Sequence, residues 1–173
     1  KTVAPWSESE RARELASDAE TLAALYVAAC RESLEEAAIL PVRNGTLTHE
    51  RALELRAELL DSKASLYDLL AARGLELDVS ALVPLSRWVT PVAEARRFDA
   101  RFFVAIAPQG QPGFHDDRET TASFWAEPRD ILERFEQGTL LLAPPTHRTL
   151  ELMLDLKTAA AVLDHARSAN LSV

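Results

Sequence analysis

The stretch Arg31-Glu32-Ser33-Leu34-Glu35-Glu36-Ala37-Ala38-Ile39-Leu40 decides how this chain is read. It closes a helical pattern. A helix repeats about every 3.6 residues, so Glu32, Glu35 and Glu36 stand at i, i+3 and i+4 and share one face. Like charges held that close repel one another unless a cation sits among them. Carboxylate oxygens are the ligands that hard divalent cations such as Mg²⁺ take. Arg31, at the head of the run, is placed to anchor one carboxylate. The same spacing also describes a solvated helix face, which is common in helical proteins. The residues of the run leave both readings open.

Working outward, residues 7–40 read as helical, with Ser7 capping a first segment and Asp18 a second. Leu22, Leu25, Tyr26, Ala29 and Leu34 form the expected buried stripe, and Pro41 ends it. Asn44-Gly45 makes a turn. Thr48 caps a helix with Leu53, Leu55 and Leu59 inward, and Asp61 or Ser62 opens another through Leu66, Leu69 and Leu70, stopped by Gly74. The periodicity then changes. Ala81 to Val89, Arg101 to Ala107 and Thr120 to Trp125 read as strands, with Trp88 and Trp125 expected in the core. Pro108 to Asp117 is a Gly/Pro loop. Pro128 starts a helix that Gly138 closes, and Pro144-Pro145-Thr146 opens a C-terminal helical region ending near Asn170. Helices with a few non-local strands argue for a layered α/β or α+β domain.

At 173 residues the chain has the length of one domain with a real core. Its net charge of −8 disfavours non-specific binding to nucleic acid or an anionic membrane, so we expect neither partner. An acidic protein that binds polyphosphate must use a bound cation or a local basic patch. Cys30 is the single cysteine, which excludes an internal disulfide and fits a reducing compartment, the cytoplasm. It falls within the helix and reads as a small buried hydrophobe. No His-Glu-x-x-His spacing and no phosphate-binding Gly-rich loop occurs, which argues against a zincin, a P-loop or a Rossmann site.

The glutamate run resembles the second half of the Nudix box, Arg-Glu-apolar-x-Glu-Glu-x-Gly-apolar. Arg31, Glu32, Glu35, Glu36 and Ile39 match, whereas Ser33 is polar and Ala38 replaces the glycine. That glycine often adopts a left-handed conformation, which alanine reaches at a cost of about 1 kcal/mol. Downstream, Ser86-Arg87-Trp88-Val89-Thr90-Pro91, Arg97-Phe98-Asp99-Ala100-Arg101-Phe102-Phe103, Arg118-Glu119-Thr120-Thr121, Trp125 and Leu142-Ala143-Pro144-Pro145-Thr146 are similar to bacterial relatives of the peroxisomal acyl-coenzyme A diphosphatases. The resemblance implies a Nudix-like α/β/α sandwich with a mixed sheet. The helices at about 48–74 fit the family's helical insertion, and the whole of 1–173 is expected to form one Nudix-like domain with a C-terminal helical region at about 146–170. In the family a Gly-Gly loop precedes the helix, but the first glycine here is Gly45. The expectation is a chain that starts inside the box, lacks the front strands, and is poorly active alone or covers its open sheet edge as a homodimer.

The chemistry so implied is hydrolysis of the diphosphate in coenzyme A or an acyl-coenzyme A, with Mg²⁺ or Mn²⁺ as cofactor. Glu32, Glu35 and Glu36 are then the metal ligands, Arg31 their structural ion-pair partner, and Glu36 and Glu119 the catalytic candidates. Glu119 reads equally as a surface strand residue. Arg87, Arg96, Arg97 and Arg101 are candidate phosphate ligands, since guanidinium binds phosphate in a bidentate manner. They also read as partners of surface acids. The alternative class is a catalytically impaired Nudix-like binding or assembly module, which Ser33, Ala38 and the missing glycine loop favour.

Overall fold

The structure is a computed structural model that describes residues 14–93, 95–117, 122–168 and Leu171. The segment that Ser7 would cap, the Arg118 to Thr121 motif and the stretch beyond Ser168 toward Asn170 lie outside the described residues.

Helix α1 spans Ala19–Ala37. Asp18 caps it, its Oδ1 accepting the Thr21 N–H at 2.7 Å. That backbone hydrogen bond holds the Asp18 carboxyl below its ordinary value. Its buried side is Leu22, Tyr26, Cys30 and Leu34, a strict i+4 row, whereas Leu25 and Ala29 are half-buried. The helix stops three residues before the expected Leu40. Ala38 turns left-handed at φ 52°, ψ 37°, so Ile39 and Leu40 leave the axis. The Ala38 N–H still reaches the Leu34 carbonyl at 3.0 Å, which satisfies an orphan acceptor at the helix end.

Strand β1 (Val42–Arg43) pairs antiparallel with β2 (Glu76–Leu77), with Val42 opposite Leu77. This clip closes off the excursion formed by α2 (His49–Asp61) and α3 (Leu66–Ala72). Thr48 caps α2 as expected. The cap of α3 is Ser65, not Asp61 or Ser62, because α2 runs on through Asp61. The excursion does not sit apart from the rest. Ala52, Leu55, Leu66, Leu69 and Leu70 join Leu22, Leu34 and Leu40 in one apolar cluster. Each fully buried leucine there contributes about 1.5–3 kcal/mol.

A short 3₁₀ turn, Val79–Ala81, leads into β3 (Val83–Val89), which pairs antiparallel with β4 (Asp99–Val104). The ladder shifts register between Pro84 and Ser86. Proline has no N–H to give a ladder, and a bulge is one of the few places a strand accepts it. The Arg87 N–H donates to the Leu171 carbonyl at 2.7 Å, on the side of β3 away from β4. Helix α4 (Pro128–Glu136) begins on proline as expected. The C-terminal region comprises two helices, α5 (Pro144–Met153) and α6 (Ala159–Ser168).

The expected third strand is not formed by residues 122–125. Side chains, not a backbone ladder, tie them to the preceding loop. Trp125 Nε1 donates to the Pro112 carbonyl and the His115 N–H to Ser123 Oγ. Trp125 is accordingly 70% exposed rather than in the core. The strand pairs among the described residues are both antiparallel. Among them, too, no helix is long and apolar enough to cross a membrane.

Candidate functional site

Successive helical residues turn by about 100°, so Glu36 lies about 40° round the axis from Glu32 and Glu35 about 60° to the other side. The structure separates them along that division. Glu32 and Glu36 line a cavity of about 560 Å³, and Glu35 does not. Instead the Glu35 Oε1 accepts from Arg31 Nε at 2.5 Å. Among the described residues no three His, Cys, Asp or Glu side chains gather as a metal cluster. A pair is nonetheless a workable cation site, because Mg²⁺ commonly takes one or two carboxylates and completes its shell with water and substrate phosphate.

Other parts of the cavity wall come from beyond the helix. Ile39 and Pro41 follow α1, Arg101, Phe102 and Val104 lie on β4, and Ile106 and Trp125 stand at the exposed rim. Cys30 contributes from the buried side of α1. Burial pushes its thiol up to about 12, so it stays protonated and behaves as the small hydrophobe the sequence suggested.

Of the four candidate arginines, Arg101 alone lines this cavity. Its Nε and Nη2 donate to the Leu15 carbonyl at 3.2 and 3.1 Å, and its Nη1 pairs with the Asp99 carboxylate at 2.9 Å. Arg87 faces Arg101 directly across the hairpin, a like-charge register that is unfavourable by itself. Asp99 resolves it by taking a bidentate grip from Arg87 at 2.9 and 2.8 Å as well. The Arg87 hydrogen bonds, reinforced by the Arg101 charge, hold the Asp99 carboxyl below its ordinary range. Arg96 lies 5.3 Å over the Phe98 ring, and Arg97 Nε donates to the Thr90 carbonyl at 3.0 Å. Both lie in the hairpin connection and do not line the cavity. Glu119 lies outside the described residues.

The loop 108–117 is fastened to the end of the glutamate helix by residues the motifs did not single out. Gln111 is buried, its Oε1 accepting the Leu40 N–H at 2.8 Å and its Nε2 donating to the Leu47 carbonyl at 2.9 Å. The Phe114 N–H donates to the Ala37 carbonyl at 2.8 Å, and Arg56 Nη1 donates to the Phe114 carbonyl at 2.7 Å. Gly113 has φ 79°, and a Cβ there would stand 3.2 Å from the Ile39 side chain, so only glycine fits without a shift. The one sequence signal for Gln111 was its place between Gly110 and Pro112, where a loop rich in Gly and Pro needs a side chain to tie it down.

A cavity with two carboxylates and an arginine on an apolar wall can hold a cation-bound polyanion that carries an apolar part. Residues 3–153 match the family described as the NUDT19 Nudix domain. Acyl-coenzyme A diphosphatase NUDT19 of Gallus gallus is 31% identical over 144 residues, covering 70% of this chain and 38% of that protein. The Xenopus laevis protein of the same name is 33% identical over 73 residues, covering 39% and 19%. The chain thus spans well under half the length of these curated relatives. The crystal structure of a Nudix hydrolase from Alicyclobacillus acidocaldarius matches with a TM-score of 0.76 at 27% identity, over 95% of this chain and 79% of that one. The fold is therefore the α/β Nudix fold, and the chain belongs to the NUDT19 Nudix domain family.

Proposed function

We propose that the protein is a metal-dependent diphosphatase acting on coenzyme A or an acyl-coenzyme A. The observation that carries this reading is the pairing of Glu32 and Glu36 on one wall of a cavity whose other walls are Arg101 and apolar side chains. Hydrolases of the family generally use divalent metal ions. Here Glu32 and Glu36 would hold Mg²⁺ or Mn²⁺, which supplies charge shielding for the diphosphate and acidifies water. Arg101 would face the phosphates, and Phe102, Val104 and Ile106 the pantetheine or acyl part. Glu35 stays with Arg31 and fixes the helix surface. Glu36 or Glu119 would take the proton from the attacking water.

Water adds across the phosphoanhydride. One phosphorus gains the hydroxyl oxygen, and the other phosphate leaves with the bridging oxygen. The products are 3′,5′-ADP and 4′-phosphopantetheine or its acyl form. We place the activity in the cytoplasm, on a small-molecule substrate without nucleic acid or membrane, and expect a homodimer. The test is chromatography of reactions with coenzyme A, ADP-ribose and dinucleotides, with Mg²⁺ or Mn²⁺ supplied. Release of 3′,5′-ADP is expected. Strong turnover of ADP-ribose or a dinucleotide with none of coenzyme A would reject the substrate. A second reading, a binding module without turnover, draws on the engagement of Glu35 by Arg31. Coenzyme A binding with no product at any metal concentration would favour it.

A further inference from the structure

We propose that Trp125 is the stacking platform for the adenine base of the substrate, an inference that rests on the coenzyme A reading above. Trp125 lines the same cavity as Glu32 and Glu36 yet is 70% exposed. A ring of this size is ordinarily covered, because aromatic side chains carry most of the burial in a core. The indole is not loose, however. Its Nε1 donates to the Pro112 carbonyl. The neighbouring Gln111 is pinned to Leu40 and Leu47, and Phe114 to Ala37. The ring is thus tied in place through the loop that grips the end of the glutamate helix. A group fixed before its ligand arrives loses little freedom on binding.

The chemistry of the contact follows from what remains free. The hydrogen bond uses the single polar atom of the indole, so the ring offers a ligand only π surface and edge. A purine base matches such a flat surface, and base–aromatic stacking needs no hydrogen-bond readout. A flexible acyl or pantetheine chain finds a better place against the half-buried Phe102, Phe103 and Val104 of the same cavity. The adjacent Phe124, 51% exposed, does not compete, since the Arg134 guanidinium already lies 4.9 Å over its ring.

The test is calorimetric titration of the full chain and of Trp125→Ala and Trp125→Phe. The probes are coenzyme A with chelator, and adenosine 3′,5′-bisphosphate or 4′-phosphopantetheine with Mg²⁺. Trp125→Ala should bind the bisphosphate about tenfold more weakly. Trp125→Phe should keep most of the affinity, and 4′-phosphopantetheine should bind all three proteins alike. The bisphosphate should also quench wild-type indole emission but not that of Trp125→Phe, which retains Trp6 and Trp88. Because the side chain is exposed, both variants should keep the wild-type circular dichroism. Wild-type affinity for the bisphosphate in Trp125→Ala, with coenzyme A binding intact, would overturn the stacking role and leave the substrate reading standing. Weaker binding of 4′-phosphopantetheine instead would put the ring on the other half of the molecule and overturn it too. Failure of the wild type to bind either coenzyme A or the bisphosphate would end both proposals.

Discussion

At the scale of the residue, three glutamates that look equivalent in sequence have two different surroundings. Glu32 and Glu36 line the cavity, whereas Glu35 is paired with Arg31. Removing one charge from each group separates their roles. Glu36→Gln and Glu32→Gln should each lower metal-dependent turnover by about 100-fold or more, the scale of lost acid–base or charge stabilisation. Glu35→Gln should cost less than about 1 kcal/mol of stability, since it breaks an i,i+4 pair whose Arg31 partner is 56% exposed. Turnover surviving in Glu36→Gln would remove that residue from the site. Ala38 makes the complementary point about strain. It occupies the left-handed position that suits glycine, at a cost of about 1 kcal/mol. Its fully buried methyl returns about 0.8 kcal/mol. Alanine is therefore tolerable at this position.

At the scale of the element, the β3–β4 hairpin is held by a charge arrangement with a definite pH dependence. Asp99 sits between Arg87 and Arg101, and its folded pKa lies below the ordinary 3.8. A lowered carboxylate pKa gives stability that is present above the unfolded value and lost as pH falls through the folded one. Asp99→Asn should therefore be less stable than wild type at pH 7, by about 1 kcal/mol once solvent screening of this exposed group is allowed for. The difference should shrink below pH 3.8. Urea midpoints across that range read it directly, and a gap that persists in acid would point to packing rather than charge. The loop 108–117 depends on a neutral group instead. Gln111→Met keeps the side chain's size but leaves the Leu40 N–H and the Leu47 carbonyl without their partner. Each buried unpaired group costs about 1–3 kcal/mol. Amides of the loop should exchange faster in Gln111→Met, and unchanged protection would show that Arg56 and Phe114 suffice to hold it.

At the scale of the whole molecule, the α2–α3 excursion reads along the chain as an addition, but it folds as part of the core. Leu55, Leu66 and Leu70 share one cluster with Leu22 and Leu34 of α1. Leu55→Ala should cost about 2–5 kcal/mol, as other leucine deletions in close-packed cores do. The loss should appear in one transition seen alike by circular dichroism and tryptophan fluorescence. A separate early transition for the helical signal would mean that the excursion unfolds by itself.

The sequence alone determined what depends on neighbours along the chain. The Asp18 and Thr48 caps, proline at the start of α4, and the glutamate run ending α1 are local chemistry, read from residues a few positions apart. Boundaries slipped where two local signals competed. Ser65, not Asp61 or Ser62, caps α3 because α2 runs on through Asp61. Only the tertiary structure decided contacts between distant residues. It joined Gln111 to Leu40 and Leu47, set Arg101 on the cavity wall while its sequence neighbour Arg97 stayed on the hairpin connection, and placed Trp125 at the rim instead of in a strand. Helix periodicity and capping are set within one or two turns. Which carboxylate meets a cavity, and which arginine stands across from it, depends on how separate elements pack, and no local pattern encodes that.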